Sequence, residues 1–296
     1  MTNDSLGHAR PLDQRVCVLG EGPVWVADTD TLWWVDILSR AAHWRTLSSG
    51  ETGSVSFPSH PGALLPVTDG SWLAFLVNSI EHYDQDFSAS HTVTAWPHHA
   101  HQPDGEPLWR ANDAAVGPRG DVICGTMPYA PDQHPGTAFL YQLKGERLVE
   151  VADGITISNG IGWTSDTTQM VYVDSPTCRI DIFDVDADGT PTNRRPFAHT
   201  DPSWGVPDGL SVDSEDYVWV AFWGGSRVQR FDPDGQPAGF IELPCEQVTS
   251  CAFFGPDLTQ LAITTSALGQ EDNPSAGLTY VFDTAVAGQP SPKAMR

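Results

Sequence analysis

Five short segments of the chain begin with a polar residue whose side chain could bind a cation or a substrate. Each continues with mostly small residues and has an apolar residue four positions on, and the first residues are Glu21, Asn112, Asn159, Asp208 and Ser250. Two carboxylates and two amide oxygens, if brought together, suit Ca²⁺, Mg²⁺ or Mn²⁺ and are acceptable to Zn²⁺ or Fe²⁺. The structural alternative is that these side chains cap strand starts or bind channel water.

The spacing of these segments indicates a repeating all-β fold. From Asn112 to Ser250 their first residues lie 42 to 49 residues apart, and the longer gap after Glu21 leaves room for a further copy at Ser59-His60-Pro61-Gly62-Ala63. Short apolar runs between Gly, Pro, Asp and Asn replace helical periodicity. Six units of this length, with about four strands each, predict a six-bladed β-propeller. A two-sheet sandwich is the rival, but its strands would not repeat this signature at this spacing.

The repeats also predict how the chain is organised. No linker of biased composition interrupts them, so residues 1–296 are expected to form a single domain. Residues 1–13 are predicted to be a flexible N-terminal tail, and residues 284–296 a C-terminal tail. A strand at Arg15–Val18 is predicted to complete the last blade, after Tyr280–Asp283, and so to close the ring.

A propeller would place the polar residues in a ring at one mouth of its central channel, because the innermost strand of each blade runs along that channel. The second blade would contribute His60 or Pro61 to the ring. Fifteen residues after two ring residues, the second strand returns to the same face with Asp36 and Asp174. These two carboxylates either support the ring and its pocket or accept backbone hydrogen bonds at strand ends.

Composition excludes several classes of partner. The chain has 38 acidic and 15 basic residues, a net charge of −23, and only two lysines, Lys144 and Lys293. Nucleic acids and anionic membrane surfaces require a basic face, so neither is an expected partner. The five cysteines form no C-x-x-C pair, which is typical of packing residues in a reducing compartment. No signal peptide or long apolar stretch is found, and a cytoplasmic location is predicted.

Five strings in register carry a family resemblance. They are Leu19-Gly-Glu-Gly-Pro-Val-Trp25, Arg110-Ala-Asn-Asp113, Gly125-Thr-Met127, Ser158-Asn-Gly160 and Pro207-Asp-Gly209. In order and spacing they resemble the signature segments of the regucalcin/gluconolactonase family of sugar lactonases, and the similarity extends from about Leu19 to Asp283. The resemblance implies a six-bladed propeller that hydrolyses an aldonolactone, such as glucono-, xylono- or arabinonolactone, to the aldonic acid.

The resemblance also implies roles for individual residues. One divalent metal ion (Ca, Zn, Mn, Mg or Fe(II)) would be held by Glu21, Asn159 and Asp208, three positions that the repeat already places around the channel. Asp208 would also transfer the proton of the attacking water, and Arg110 and Asn112 would hold the substrate. Such a metal would polarise the lactone carbonyl while water attacks. For Arg110, the alternative is a structural pairing with an acidic residue.

One segment departs from the family pattern and bears on the substrate. Some members follow Gly-Thr-Met closely with a glutamate that touches the sugar, whereas this chain has Pro128-Tyr129-Ala130, so the substrate hydroxyls there would meet either Tyr129 or no side chain. The leading prediction is therefore a metal-dependent lactonase acting on a small sugar lactone, as a monomer or weak homo-oligomer. The alternatives are an esterase or phosphotriesterase on the same scaffold, or a non-catalytic propeller that binds calcium or a protein.

Overall fold

Six sheets contain all 25 strands of the computed structural model, which describes residues 3–98, 101 and 105–295. The remaining regular structure in this part of the chain is three short 3₁₀ helices, at Ala27–Thr29, Ser175–Thr177 and Pro202–Trp204. No helix there is long and apolar enough to cross a membrane. The all-β, six-bladed propeller predicted from the repeats is confirmed.

The first three blades are four-stranded antiparallel sheets, each made of strands consecutive in the chain. Two strands, β1 (Ser5–His8) and β2 (Arg10–Asp13), precede them. The bounds are β3 Gly20–Val26, β4 Thr31–Asp36, β5 Ala41–Thr46 and β6 Thr52–Ser56 for blade 1; β7 Ala63–Pro66, β8 Trp72–Phe75, β9 Ser79–Tyr83 and β10 Ser90–Ala95 for blade 2; β11 Trp109–Val116, β12 Val122–Pro128, β13 Ala138–Lys144 and β14 Arg147–Ile155 for blade 3.

The last three blades follow the same order, and two of them take up the N-terminal strands. Strand β1 pairs in parallel with the outer strand of blade 5, and β2 pairs antiparallel with that of blade 6. The bounds are β15 Ser158–Trp163, β16 Gln169–Asp174, β17 Arg179–Val185 and β18 Pro191–His199 for blade 4; β19 Val206–Val212, β20 Val218–Trp223, β21 Arg227–Phe231 and β22 Pro237–Glu242 for blade 5; β23 Val248–Phe254, β24 Gln260–Thr265 and β25 Thr279–Asp283 for blade 6.

The N-terminal residues therefore differ from the sequence prediction. Of the segment 1–13 expected to be a flexible tail, residues 5–8 and 10–13 are strands. The strand that completes blade 6 is Arg10–Asp13, rather than the predicted Arg15–Val18. Joining blades 5 and 6 to the chain's first residues ties the two ends of the propeller together, which a frayed tail would not do.

The segment Arg15–Val18 has another task, because it crosses from blade 6 to blade 1. The Arg15 guanidinium donates to Asp13 Oδ1 (2.8 Å), to the carbonyl of Gly53 (2.8 Å) and to that of Trp44 (3.1 Å). These bonds hold Arg15 against blade 1. The segment that carries Arg15 therefore does not pair with the outer strand of blade 6. The closing strand therefore lies earlier in the sequence than predicted, and the residues predicted to form it connect the two blades instead.

The inner strands β3, β7, β11, β15, β19 and β23 each contact the next, and β23 contacts β3, so the ring is closed. Buried apolar side chains fill the space between neighbouring blades. Between blades 1 and 2, for example, the rings of Trp33 and Trp72 lie 4.6 Å apart between centroids. The core of this fold therefore lies between the sheets and surrounds the channel.

Register breaks near the starts of five inner strands determine which side chains face the channel. Each break inserts extra residues relative to the second strand, which re-aims the side chains around it. The breaks fall at Glu21/Val24, Ala111/Ala114, Asn159/Ile161, Pro207/Leu210 and Val248/Ser250. Strand β7 of blade 2 pairs without a break.

Small residues follow the polar ones because the inner strands approach closely at these breaks. A Cβ atom on Gly160 would lie 2.8 Å from the backbone oxygen of Asp208, and one on Gly209 would lie 2.2 Å from Ser250 Oγ. A larger side chain at either position would push the neighbouring blade away. The small residues of the repeated pattern are therefore explained by close contact between adjacent inner strands.

The C-terminal strap, residues 287–295, runs across the mouth of the channel opposite the polar ring. It forms no named strand, yet it is fixed to loops or strand ends of all six blades. Its bonds are Ser214 N to Ala287 O, Gly288 N to Leu258 O, Gln289 Nε2 to Trp163 O, Lys293 Nζ to Asp28, Ala294 N to Pro66 O and Met295 N to Gly120 O. Residues 284–296 were predicted to be a tail, but residues 287–295 are bonded to the blades.

Deleting the strap should destabilise the propeller without touching its polar ring. A chain ending after Val286 loses several backbone hydrogen bonds by which the strap holds the blades, so we expect the free energy of unfolding to fall by roughly 2 kcal/mol or more. Thermal denaturation checks this, with Met295→Ala as the control because the Met295 side chain is 65% exposed. An unchanged melting temperature in the shortened chain would show that the strap contributes nothing to ring closure.

Candidate active site

The structure brings together four of the predicted ring residues at one mouth of the channel. Glu21, Asn112, Asn159 and Asp208 are all buried, and each lies at or near the start of an inner strand, in blades 1, 3, 4 and 5. Ser250 of blade 6 is also buried and lines the channel. The register breaks explain this convergence, since they turn the first residues of these strands inward.

A continuous chain of hydrogen bonds links the arginine and the two amides. Arg110 Nη1 donates to Asn112 Oδ1 (2.7 Å), and Asn112 Nδ2 donates to Asn159 Oδ1 (2.9 Å). Asn159 Nδ2 in turn donates to Ser175 Oγ (2.8 Å). Each amide is thereby held with its nitrogen directed at a neighbour and its oxygen directed at a donor, which fixes both side chains across blades 3 and 4.

Three carboxyl groups lie within the channel, and burial changes their acidity. Burial raises the pKa of Glu21 to about 8, with a further contribution from the charge of Asp113. Burial raises the pKa of Asp113 to about 7. The pKa of Asp208 lies well above its usual value, because of burial first and the charges of Glu21 and Asp113 second. Each group therefore resists ionisation unless a positive charge is near.

The side chains at this mouth of the channel have the chemistry of a divalent-cation site. Arg110 is buried and close enough to lower the pKa of Glu21 and Asp208, but a single guanidinium cannot balance three carboxylates. Asp208 Oδ1 is also a buried oxygen without a hydrogen-bond partner among the described residues. A buried lone pair of this kind is costly unless something binds it. Glu21, Asn159 and Asp208 together offer oxygen ligands of the type that hard cations take.

Asp113 is the channel residue that sequence analysis did not single out as functional. It follows Asn112 directly, and in a regular strand two successive side chains point to opposite faces. The register break between Ala111 and Ala114 places both inside the channel, and the amide of Ala114 donates to Asp113 Oδ1 (2.7 Å). The only available signal was the aspartate at the end of the string that begins at Arg110.

Tyr129 and His60 form a pair at the rim of the site. The Tyr129 hydroxyl and His60 Nδ1 are joined by a hydrogen bond of 2.8 Å, and Tyr129 is 36% exposed. His60 was one of two candidates for the ring position of blade 2. Because β7 has no register break and starts three residues later, His60 is half-buried at the rim and is not part of the buried ring.

Asp36 and Asp174 act as acceptors of backbone hydrogen bonds, which was one of the two roles open to them. Asp36 accepts from the amides of Val18 and Leu19, both at 3.0 Å. Asp174 accepts from the amide of Ile157 at 2.9 Å. In each case the carboxylate holds the segment just before a ring residue, so both residues position the site from outside it.

A second group with potential ligand atoms lies elsewhere in blade 1. Atoms of Cys17, Asp36 and His43 lie within 4.8 Å of one another. The Asp36 oxygens are already used by backbone amides and by the Ser39 hydroxyl, and His43 Nδ1 bonds Ser54 Oγ at 2.6 Å. Burial raises the pKa of the Cys17 thiol to about 12. A neutral thiol and a saturated carboxylate indicate packing rather than metal binding.

The buried carboxyl groups predict how stability depends on pH when no divalent cation is present. The ordinary values are 4.5 for Glu21 and 3.8 for Asp113, and the folded values are raised. The folded protein therefore keeps protons that the unfolded chain has lost, so stability is greatest below about pH 4 from these groups and is lost as the pH rises through about 8. We expect the melting temperature to fall across this range, as followed by thermal denaturation in EDTA.

Glu21→Gln supplies the control for that pH dependence. An uncharged amide at this position cannot ionise, so the fall in melting temperature between pH 5 and 9 should become shallower. Saturating Ca²⁺ or Mn²⁺ should also flatten the profile of the unaltered chain, because the cation compensates the ionised carboxylates. A profile that is identical in all three conditions would contradict the buried acidic group described above.

The fold and this site together define the class of protein. It is a six-bladed β-propeller with buried carboxylates, amides and an arginine at one end of its channel, and a cluster of buried groups with shifted pKa values is typical of a functional site.

Comparison with known proteins identifies the family. Residues 19–267 match the model described as the SMP-30/Gluconolactonase/LRE-like region, and the chain belongs to this family. The pentonolactonase XacC of Haloferax volcanii is 34% identical over 291 residues, covering 93% of this chain and 94% of that protein. Regucalcin of Xenopus laevis is 30% identical over 263 residues, and the alignment covers 86% of this chain and 85% of that protein. The resemblance stated from the sequence is confirmed, and the chain is a carboxylic ester hydrolase of the lactonase type.

A solved structure agrees over the full length. The regucalcin of Agrobacterium tumefaciens, described as a calcium-binding protein, has a TM-score of 0.90 and 28% identity, and the alignment covers 99% of both chains.

Proposed function

We propose that this chain hydrolyses a sugar lactone with one divalent cation held at the channel mouth. The observation that carries the proposal is the buried, unpartnered Oδ1 of Asp208, which lies in a channel that also holds Glu21, Asn159 and Arg110. A purely structural ring of polar residues would satisfy its hydrogen bonds internally. An oxygen left open in a buried acidic site is instead ready for a ligand or a proton.

Glu21, Asn159 and Asp208 would hold the cation. An all-oxygen set of two carboxylates and one amide favours Ca²⁺, Mg²⁺ or Mn²⁺, and Zn²⁺ or Fe²⁺ remain acceptable. When bound, the cation supplies a Lewis acid for the lactone carbonyl and offsets the charge of the buried carboxylates.

The chain's own residues bind the lactone and move the proton. Arg110 presents a planar guanidinium, of which Nη1 is engaged by Asn112 Oδ1 and the carbonyl of Ala111. Its other nitrogens would donate to the lactone and to the carboxylate that forms on hydrolysis. Asp208 would accept the proton of the attacking water with the carboxylate oxygen that does not bind the cation. Asn112 accepts a hydrogen bond from Arg110 and donates one to Asn159, and so fixes the position of one side chain relative to the other.

The proposed substrate is a five- or six-carbon aldonolactone. Its support is the pentonolactonase activity of the H. volcanii relative and the gluconolactonase in the family description. Tyr129 at the rim takes the place where some family members have a glutamate, so a phenol would meet the sugar hydroxyls in this chain. A cytoplasmic location is proposed as well, because the five cysteines are all free thiols.

A substrate panel tests the proposal. Acid release from gluconolactone and xylonolactone should exceed the spontaneous rate clearly, while a simple aryl ester and a phosphotriester should be hydrolysed poorly. Faster turnover of the ester or the phosphotriester would replace the lactonase with the alternative enzyme on the same scaffold. Absence of turnover on every substrate, with cations added, would favour a non-catalytic binding propeller instead.

A further inference from the structure

A pocket of about 410 Å³ opens beside the candidate active site, at the tops of blades 1, 2 and 3, and His60 and Tyr129 line it. The backbone connects this pocket to the site. A Cβ atom on Gly62 would lie 2.5 Å from the carbonyl carbon of Ala111 and 2.8 Å from the amide nitrogen of Asn112. The segment that carries His60 therefore lies directly against strand β11, which carries the substrate-binding residues proposed above.

Tyr129 reaches the same pocket from blade 3. It follows strand β12, and its amide donates to the carbonyl of Leu108 (3.0 Å), just before strand β11 begins. The Tyr129 hydroxyl and His60 Nδ1 lie 2.8 Å apart, and the centroids of the two rings are 5.8 Å apart. This hydrogen bond joins the segment before blade 2 to blade 3 at the wall of the pocket.

The pair presents one donor and one acceptor to the pocket, whichever way its own hydrogen bond runs. Burial and the charges of Arg110 and Arg40 lower the pKa of His60, so its imidazole is neutral at pH 7 and carries one N–H. If the Tyr129 hydroxyl donates to Nδ1, the remaining groups are Nε2–H and a lone pair of the phenol oxygen. If Nδ1–H donates instead, the remaining groups are the phenol O–H and the lone pair of Nε2.

Two adjacent hydroxyls of a sugar have the complementary chemistry. Each hydroxyl both donates and accepts, so a vicinal diol can satisfy the pair in either arrangement, whereas a carboxylate offers acceptors alone. The charged side chains of the pocket wall also balance, because Arg40 and Glu106 line it with opposite signs. The pocket therefore suits a neutral, hydroxyl-bearing part of a ligand.

We propose that His60 is a specificity residue and that the His60–Tyr129 pair binds two adjacent hydroxyls of the sugar lactone. The proposal rests on the function proposed above and adds to it the residues that distinguish a sugar lactone from a plain one. With the carbonyl held by the cation and Arg110, these hydroxyls are the ones farthest from the ester, on C3 and C4 of a six-membered lactone. His60 acts on the choice of substrate and takes no part in bond cleavage.

The test compares gluconolactone with 3,4-dideoxygluconolactone, which lacks only those two hydroxyls. In His60→Phe, the ratio of kcat/KM for gluconolactone to that for the dideoxy lactone should fall about tenfold relative to the unaltered chain, because phenylalanine keeps a ring and removes both nitrogens. His60→Gln should recover part of the ratio, since its amide also donates and accepts. His43→Phe is the matched control. His43 is likewise half-buried with Nδ1 bonded to a hydroxyl, that of Ser54 (2.6 Å), but it does not line the pocket.

A double-mutant cycle tests whether the two residues act as a pair. Tyr129→Phe should lower the same ratio about tenfold, because it removes the hydroxyl that fixes the hydrogen bonding of His60. The variant that carries both His60→Phe and Tyr129→Phe should then lower the ratio by much less than the product of the two single effects. Effects that multiply in full would show two independent contacts and would overturn the pair.

The outcomes separate this assignment from the catalytic proposal. If gluconolactone is hydrolysed but His60→Phe and His43→Phe give the same ratio, the role of His60 is wrong and the lactonase proposal stands. If the unaltered chain hydrolyses neither lactone, the lactonase proposal fails, and calorimetric titration with glucose and 3,4-dideoxyglucose decides the role of the pair. A preference for glucose that is lost in His60→Phe and kept in His43→Phe would support it, and any other result would overturn it.

Discussion

Asp208→Asn is expected to reduce kcat for lactone hydrolysis by on the order of 10²-fold or more. The substitution removes a metal ligand's charge and the proposed proton acceptor together, while it keeps the size of the side chain. The same change should raise the melting temperature of the protein in EDTA at neutral pH. Burial and the charges of Glu21 and Asp113 raise the pKa of Asp208, so folding at neutral pH must either bury its charge or take up a proton, and Asn removes that cost.

Asp234→Asn is the matched control, because Asp234 is an exposed residue in the same blade. Its activity and melting temperature should equal those of the unaltered chain. A folded Asp208→Asn variant with normal kcat would remove Asp208 from the chemistry. A lower melting temperature in EDTA would mean that Asp208 is a satisfied structural residue, contrary to its unpartnered Oδ1.

Arg110→Lys should reduce kcat/KM by the equivalent of roughly 1 to 3 kcal/mol while thermal stability changes little. Lysine keeps the positive charge that the buried carboxylates need, but it loses the planar fork that can bind Asn112 and the substrate at once. In the structure Arg110 donates to Asn112 Oδ1 and to the carbonyl of Ala111. Steady-state kinetics on a lactone and thermal denaturation measure the two effects.

Arg147→Lys is the control for that variant and should affect neither measurement. The competing idea is that Arg110 pairs structurally with an acidic residue. The hydrogen bonds of Arg110 go to the Asn112 amide and to the carbonyl of Ala111, so a lysine at this position leaves no bonded carboxylate without its partner. A marked fall in melting temperature with kcat/KM unchanged would reject the substrate role and restore the structural one.

The repeat of polar and small residues was sufficient to predict the propeller and the convergence of its ring. Periodicity works here because every blade repeats the same contact between inner strands, and each contact requires small residues such as Gly160 and Gly209. Glu21, Asn159 and Asp208 could be placed at the channel mouth for this reason. Their roles as cation ligands remain proposals.

What sequence analysis missed depends on features without a periodic signal. Asp113 enters the channel through a register break, which shifts the alternation of a strand by an amount that no local pattern specifies. Strand β1 joins blade 5 in parallel from the far end of the chain. The C-terminal strap has no strand pattern, because its bonds run to the loops of other blades. Each feature is defined by its tertiary partners.

The rim of the site was predicted only in part. Tyr129 was expected to meet the substrate, and the structure shows that its hydroxyl is already bonded to His60. His60 comes from another blade, 69 residues earlier in the chain. For Asp36 and Asp174 the sequence left open whether they support the ring or accept backbone hydrogen bonds. The backbone amides of Leu19 and Ile157, which donate to them, show the second role. Pairings between distant segments decide such cases.

The most direct test of the account is lactone hydrolysis measured after removal of divalent cations and during their return. Hydrolysis is expected to fall to the spontaneous rate in EDTA and to return when about one equivalent of a suitable divalent cation binds. In Asp208→Asn the same titration should restore little activity. Lactone hydrolysis that continues undiminished in EDTA, in a protein verified to contain no metal, would contradict the cation site at the channel mouth.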